Sequence, residues 1–237
     1  MYGHGKQLLA RIAEVTAGGL IYIENLRIRS DPKGRLGGVV AVLLLAHLAM
    51  HLYRIAGHEL LWTGIDLRQK LTIPNWYSSF ALLVAAVLLL AVAGERRRAR
   101  DRDAGCWYGL SAGFAAMSLD RIACIHQLLN ASSSIAWEIP GAVIVAVIGI
   151  FYLGFLKRLP ARTRRWFLAS GAVYVFGVIV LEALENPYLL NIPVGTPADG
   201  FMALPDEGTQ MVGVVMFIYA LLAYMSAPHS PVADPRA

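Results

Sequence analysis

Apolar runs of membrane-spanning length alternate with short charged segments along this chain. A helix that crosses a bilayer needs about 20 mostly apolar residues. Six stretches meet that need, at 37–55, 76–94, 106–129, 137–156, 166–186 and 208–226. Between them, Glu95–Asp103 and Lys157–Arg165 are too charged to cross. Ahead of the first run, Leu8, Ile12, Val15, Leu20 and Ile23 recur at roughly helical spacing among charges, the pattern of an amphipathic helix lying on a membrane surface. The first 36 residues hold no compact apolar core followed by a small-residue cleavage site, so they do not read as a signal peptide. The pattern predicts an all-α fold in three parts. A cytoplasmic amphipathic basic segment covers 1–36, an integral membrane bundle of six transmembrane helices covers 37–226, and a disordered cytoplasmic tail covers 227–237.

Composition agrees. The 237 residues are 57% hydrophobic and 16% charged, where a soluble domain averages roughly 45–50% and about 25%. That excludes an ordinary soluble globule, a disordered chain and a disulfide scaffold. The two cysteines, Cys106 and Cys124, fall in one predicted helix, about 27 Å apart at the helical rise, too far to bridge.

Charge sets the expected orientation. Seventeen of the 21 Lys and Arg fall in the N-terminal segment, 95–103, 157–165 and the tail, and the others are Arg54, Arg68, Lys70 and Arg121. The positive-inside rule then puts both termini in the cytoplasm of a bacterium, with the inner membrane as location. Exterior loops follow at about 56–75, 130–136 and 187–207, and nine of the 16 acids lie on that side. The basic balance is thus a topology signal, and nucleic acid is not an expected partner. Trp62, Trp76, Trp107, Trp137 and Trp166 all lie at or near predicted span ends, as an interfacial aromatic belt would.

Ionisable groups inside spans are costly and by default mark function. Here they share a depth. His47 and His51 on the first span, Asp120, Arg121 and His126 on the third, Glu182 on the fifth and Glu207 on the sixth all fall in the exterior half of the bilayer. His47 and His51 are four apart and project from one helix face. Asp120, Cys124 and Gln127 form a face of the third span, with His126 pointing about 120° away from Asp120. Three readings of the cluster stay open. It is a polar network that locks the bundle, with Arg121 neutralising Asp120 or Glu182. Or His47, His51, Asp120, His126 and Glu182 hold a divalent metal, zinc or iron. Or Asp120, His126 and Glu182 relay protons or ions. A b-haem between His47 and His126 has no other support.

Phe114–Gln127, FAAMSLDRIACIHQ, resembles a third-span motif close to SLDExxxIHE found in a group of uncharacterised bacterial multipass membrane proteins. Ile65–Ser79, IDLRQKLTIPNWYSS, resembles the loop before their second span. Pro205–Gly213, PDEGTQMVG, resembles the opening of their last span, and Arg165–Glu182 matches their fifth loosely. The resemblance covers most of residues 40–226 and implies a six-helix bundle, but no named activity. Asp120, His126, Glu182 and Glu207 fit the motif. Arg121, Gln127, Lys70 and Gln210 stand where the group has acids, and an arginine in place of a carboxylate ligand repels a divalent cation.

No GxSxG, Walker, HExxH or CxxC pattern is present, so the usual catalytic signatures are missing. Membrane hydrolases of the alkaline ceramidase type use Ser, Asp and three His around zinc. Ser118, Asp120, His47, His51 and His126 resemble that inventory in a different chain order. The expected function is a non-catalytic accessory or scaffold subunit of a membrane complex, whose partners are the lipid bilayer and other membrane subunits. The alternatives are a metal-dependent, hydrolase-like membrane enzyme and a small proton-coupled transporter. Gly109/Gly113 and Ser170/Gly171/Gly177 are the expected close helix contacts.

Overall fold

Prolines and charges at the ends of the apolar runs set where each helix starts and stops. The computed structural model describes residues 32–58, 63–69, 71–123, 138–185 and 196–227. The chain divides into a unit Met1–Val39, described only from residue 32, and a unit Val40–Ala237. Helix α1 is Pro32–Ile55. Helix α2, Ile73–Arg98, opens with Pro74 in its first turn and closes on Arg96, Arg97 and Arg98, cations that favour a helix C-terminus. Helix α3 is Ala104–Ala123 and α4 is Glu138–Arg158. Helix α5, Ala161–Val175, follows Pro160 and runs on through a π-helical turn, Phe176–Leu181, into Glu182–Glu185. Helix α6, Pro197–Ser226, has Pro197 in its first turn and Thr196 as N-cap, whose Oγ1 accepts from the Asp199 amide at 3.3 Å.

The described residues are all-α, and five of these helices are long and apolar enough to cross a membrane. The protein is a multipass membrane protein. Helix α3 falls short of the same measure because Ser111, Ser118, Asp120 and Arg121 dilute its apolar content. The remainder of its expected span, 124–129, lies outside the described residues, as do most of the expected 1–36 segment and nearly all of the tail. Several boundaries differ from expectation: the first helix begins at Pro32 rather than at 37, and the second runs Ile73–Arg98 rather than 76–94. The last helix begins at Pro197 rather than at 208, and the fifth at Ala161 rather than at 166. Helix α6 carries Asp199, Asp206 and Glu207 within its first turns because those acids have partners there, as described below.

Helices α2 and α6 form the core of the bundle, with 56% and 61% of their apolar windows buried, whereas α4 has 11% buried and faces outward. Serines join α2 to α3. Ser79 Oγ donates to the Ser118 carbonyl at 2.9 Å, Ser118 Oγ donates to the Ser79 carbonyl at 2.9 Å, and Ser111 Oγ donates to the Ala86 carbonyl at 2.8 Å. Between them lie the buried Ala85, Ala86 and Ala93. Where helices meet without a hydrophobic drive between them, small residues and hydroxyl bonds supply the contact. Helices α5 and α6 meet at Gly213, where a methyl would strike the Tyr174 backbone, and at Gly177, which faces Thr209 and Gln210. Of the expected small-residue contacts, Gly109 and Gly177 are close approaches. Gly113 and Gly171 face open space.

Trp107 is a correction to the aromatic belt. It is 1% exposed, stacked on Tyr224 at 5.1 Å and edge-on to Phe155 at 5.0 Å and Phe167 at 6.2 Å. It belongs to an aromatic core joining α3, α4, α5 and α6, because its ring points into the bundle. Trp76 and Trp166 are exposed, at 39% and 48%. Trp62 and Trp137 lie outside the described residues.

Candidate functional site

His47 is the most buried ionisable side chain of the described residues, at 1% exposure. Its Nδ1 accepts from the Leu67 amide at 3.1 Å, and its Nε2 lies 3.0 Å from the Gly200 carbonyl. An amide can only donate and a carbonyl can only accept, so these partners assign the neutral tautomer with the proton on Nε2. One imidazole thus ties α1 to the segment 63–69 and to the first turn of α6. His51, one turn on, stacks parallel to His47 with ring centroids 5.9 Å apart and meets Phe201 edge-on at 5.1 Å. Gly200 is required there, since a methyl at that position would overlap the His51 ring.

The segment 63–69 is held as a compact turn. Asp66 Oδ1 accepts from the Arg68 amide at 2.9 Å, an Asx-type turn, and the Ile73 amide donates to the Gly64 carbonyl at 2.8 Å. Leu71 takes a left-handed conformation, φ 60°, at the entry to α2. The turn buries Asp66 beside His47, 3.8 Å from Nδ1, and 3.9 Å from Arg54. It also aims Arg68 at α6, where Nε meets Asp199 Oδ1 at 3.0 Å and Nη1 meets Asp206 Oδ2 at 3.3 Å.

The network continues along α6. Gln210 Nε2 donates to Asp206 Oδ1 at 2.8 Å, and Gln210 Oε1 accepts from Arg121 Nη1 at 2.9 Å. Arg121 Nη2 is also paired with Glu207. Asn75 Nδ2 donates to the Arg121 carbonyl at 3.3 Å. The chain of contacts therefore runs Arg68, Asp206, Gln210, Arg121, Glu207 and links the 63–69 turn, α3 and α6. Asp66, Asp199, Asp206 and Gln210 are all buried. Beside this network, Tyr77, Ser78, Arg121, Tyr174 and Gln210 line a small cavity with room for about one water.

Of the sequence-predicted residues, His47 and His51 stack on one another, and Arg121 and Glu207 form an ion pair. The guanidinium expected to neutralise Asp120 or Glu182 reaches Glu207 and Gln210 on α6. Asp120 and Glu182 are half-buried, both within electrostatic reach of Tyr174. His126 lies outside the described residues. Among the described residues, no three His, Cys, Asp or Glu side chains stand close enough together to hold a metal. Sequence reasoning missed Asp66, Arg68, Asp199 and Asp206 as members. A signal was available: outside the basic segments and the tail, four cations stand among nine acids, and three of them, Arg54, Arg68 and Arg121, are paired with those acids.

At the other end of the bundle, Asp103 takes Arg158 in a fork, with Nη2 at 2.6 Å from Oδ1 and Nε at 2.9 Å from Oδ2. That hydrogen bonding holds the Asp103 carboxyl below its usual range. Arg96 pairs with Asp101 at 3.3 Å and reaches the hydroxyl of Tyr224.

No curated protein and no solved structure matches the chain. A family model covers 36–225, nearly the stretch over which the third-span motif and its companion segments show their resemblance. The chain belongs to the family described as Domain of unknown function (DUF8692).

Proposed function

We propose that this protein is a non-catalytic accessory or scaffold subunit of the bacterial inner membrane. In this reading it crosses the bilayer six times, with both termini in the cytoplasm, and the exterior-half cluster locks the bundle into one shape. The observation that carries the reading is the mutual pairing of the cluster's charged and ring groups. Both ring nitrogens of His47 are engaged by backbone partners, Arg68 by Asp199 and Asp206, and Arg121 by Glu207 and Gln210. A metal at His47 Nδ1 would have to displace the buried Leu67 amide, leaving an unsatisfied group worth about 1–3 kcal/mol, and a metal at Nε2 would break both backbone bonds. A rigid surface presented within the membrane is what such a lock supplies.

The test is metal content and melting temperature of the full chain, purified in mild detergent without chelator, beside His47→Ala and Asp120→Ala. The expected result is no stoichiometric zinc or iron, melting unchanged by chelator, and a lower melting temperature for His47→Ala. A stoichiometric metal that both substitutions remove would overturn the reading in favour of a metal-dependent membrane enzyme.

A further inference from the structure

Two basic segments, 95–103 and 157–165, carry ten of the chain's cations. The fork between Asp103 and Arg158 brings them side by side at one end of the bundle. Their acids are largely occupied within the pair, Asp101 by Arg96 and Asp103 by Arg158. Glu95 is then the one acid set against Arg97, Arg98, Arg100, Arg102, Lys157, Arg162, Arg164 and Arg165. All of these cations except the half-buried Arg164 are exposed. Arg164 Nη1 donates to the Lys157 carbonyl at 3.3 Å, which fixes the turn between α4 and α5.

Depth gives the cations their meaning. They cap the apolar spans Ile73–Arg98 and Ile139–Arg158 and open Ala161–Leu184, the level at which headgroup phosphates lie. Directly beside them, the last turns of α4 expose Ile150 at 69%, Phe151 at 86% and Leu153 at 49%, and α5 exposes Trp166 at 48% and Leu168 at 51%. Phe151 precedes Lys157 by about 9 Å along the helix axis. That matches the step from a lipid's phosphate to its upper acyl chain. A soluble polyanion would use only the charged half of this surface.

We infer that the shelf formed by 95–103 and 157–165, with the exposed flank of α4, binds the headgroup of an anionic glycerophospholipid in the leaflet it faces. The guanidinium groups take the phosphate by paired N–H donors. The aliphatic stems of these cations and the α4 flank take the acyl chains. Specific capture of anionic lipid by basic surfaces at span ends rests on the same electrostatics.

The experiment is thermal melting of the full chain in neutral detergent with added phosphatidylglycerol, phosphatidylcholine or inorganic phosphate. Phosphatidylglycerol is expected to raise the melting temperature saturably, and the other two to leave it unchanged. The shift is expected to vanish at about 1 M salt, where screening is nearly complete. Lys157→Gln/Arg162→Gln/Arg165→Gln is expected to raise the half-saturating lipid concentration about tenfold or more, with melting in phosphatidylcholine unchanged. Arg97→Gln/Arg98→Gln/Arg100→Gln repeats the measurement from the other segment, should the first variant fail to fold. Equal shifts with both lipids, or an unaltered half-saturation in the variants, would overturn the inference. A shift reproduced by inorganic phosphate alone would also overturn it, by assigning the surface to a free anion.

Discussion

Ser78 and Ser79 are neighbours on α2 and both are buried, yet their hydroxyls differ. Ser79 exchanges bonds with Ser118 across the α2–α3 contact, while Ser78 Oγ has no partner among the described residues and lies at the cavity beside Arg121. Removing a satisfied hydroxyl loses a net of about 1 kcal/mol, whereas removing an unsatisfied one relieves a desolvation penalty. Ser79→Ala is therefore expected to lower stability in detergent by about 1 kcal/mol, and Ser78→Ala to leave it unchanged or raise it. Denaturant titration of both variants reads the difference, and equal losses would contradict the assignment. His47 makes a sharper case. His47→Phe keeps a ring of similar bulk but strands the Leu67 amide and the Gly200 carbonyl. The expected loss is about 2 kcal/mol or more, and the same titration checks it.

At the scale of elements, the apolar runs made the helices legible, because spanning length and low charge are properties of the chain itself. Their ends were less so. The turns of α6 before 208 hold Asp199, Asp206 and Glu207, and read in sequence as an exterior loop. They are helical because Thr196 and Pro197 start the helix and because Arg68 and Arg121 meet those acids. Such partners come from residues far along the chain, which no local pattern displays. Pro205 lies inside α6 and removes a helical donor. One turn on, Thr209 Oγ1 donates to the Pro205 and Asp206 carbonyls at 2.8 and 2.9 Å. Opposite this stretch, α5 takes its π-helical turn. Glycine spacing was only half informative, since GxxxG names candidates and not the face they present. Gly213→Ala is expected to lose about 1–3 kcal/mol by overpacking against Tyr174. Gly113→Ala, facing open space, is expected to gain up to about 1 kcal/mol from helix propensity. Melting temperatures in one detergent compare them, and a similar loss in both would show that α6 does not approach α5 as closely as Gly213 implies.

At the scale of the whole molecule, the sequence offered candidate ionisable groups within the apolar runs but not the partners they meet. His47, His51, Arg121 and Glu207 were visible as ionisable groups within apolar runs. Asp66 and Arg68 were not, because they belong to a loop that folds back onto the bundle and is buried there. What joins the helices is a set of buried charges and hydrogen bonds that engage one another. The measurement that tests this most directly is a double-mutant cycle on Arg68 and Asp206, with Arg68→Met, Asp206→Leu and the pair, by reversible unfolding in detergent. Arg68→Met strands the buried Asp199 and Asp206 and is expected to cost about 3–5 kcal/mol, whereas Asp206→Leu leaves Arg68 on Asp199 and is expected to cost less. The pair is expected to cost less than the two added together, with a coupling of about 0.5–3 kcal/mol. Strictly additive losses would contradict the account, since Arg68 and Asp206 would then be bystanders and not two halves of one lock.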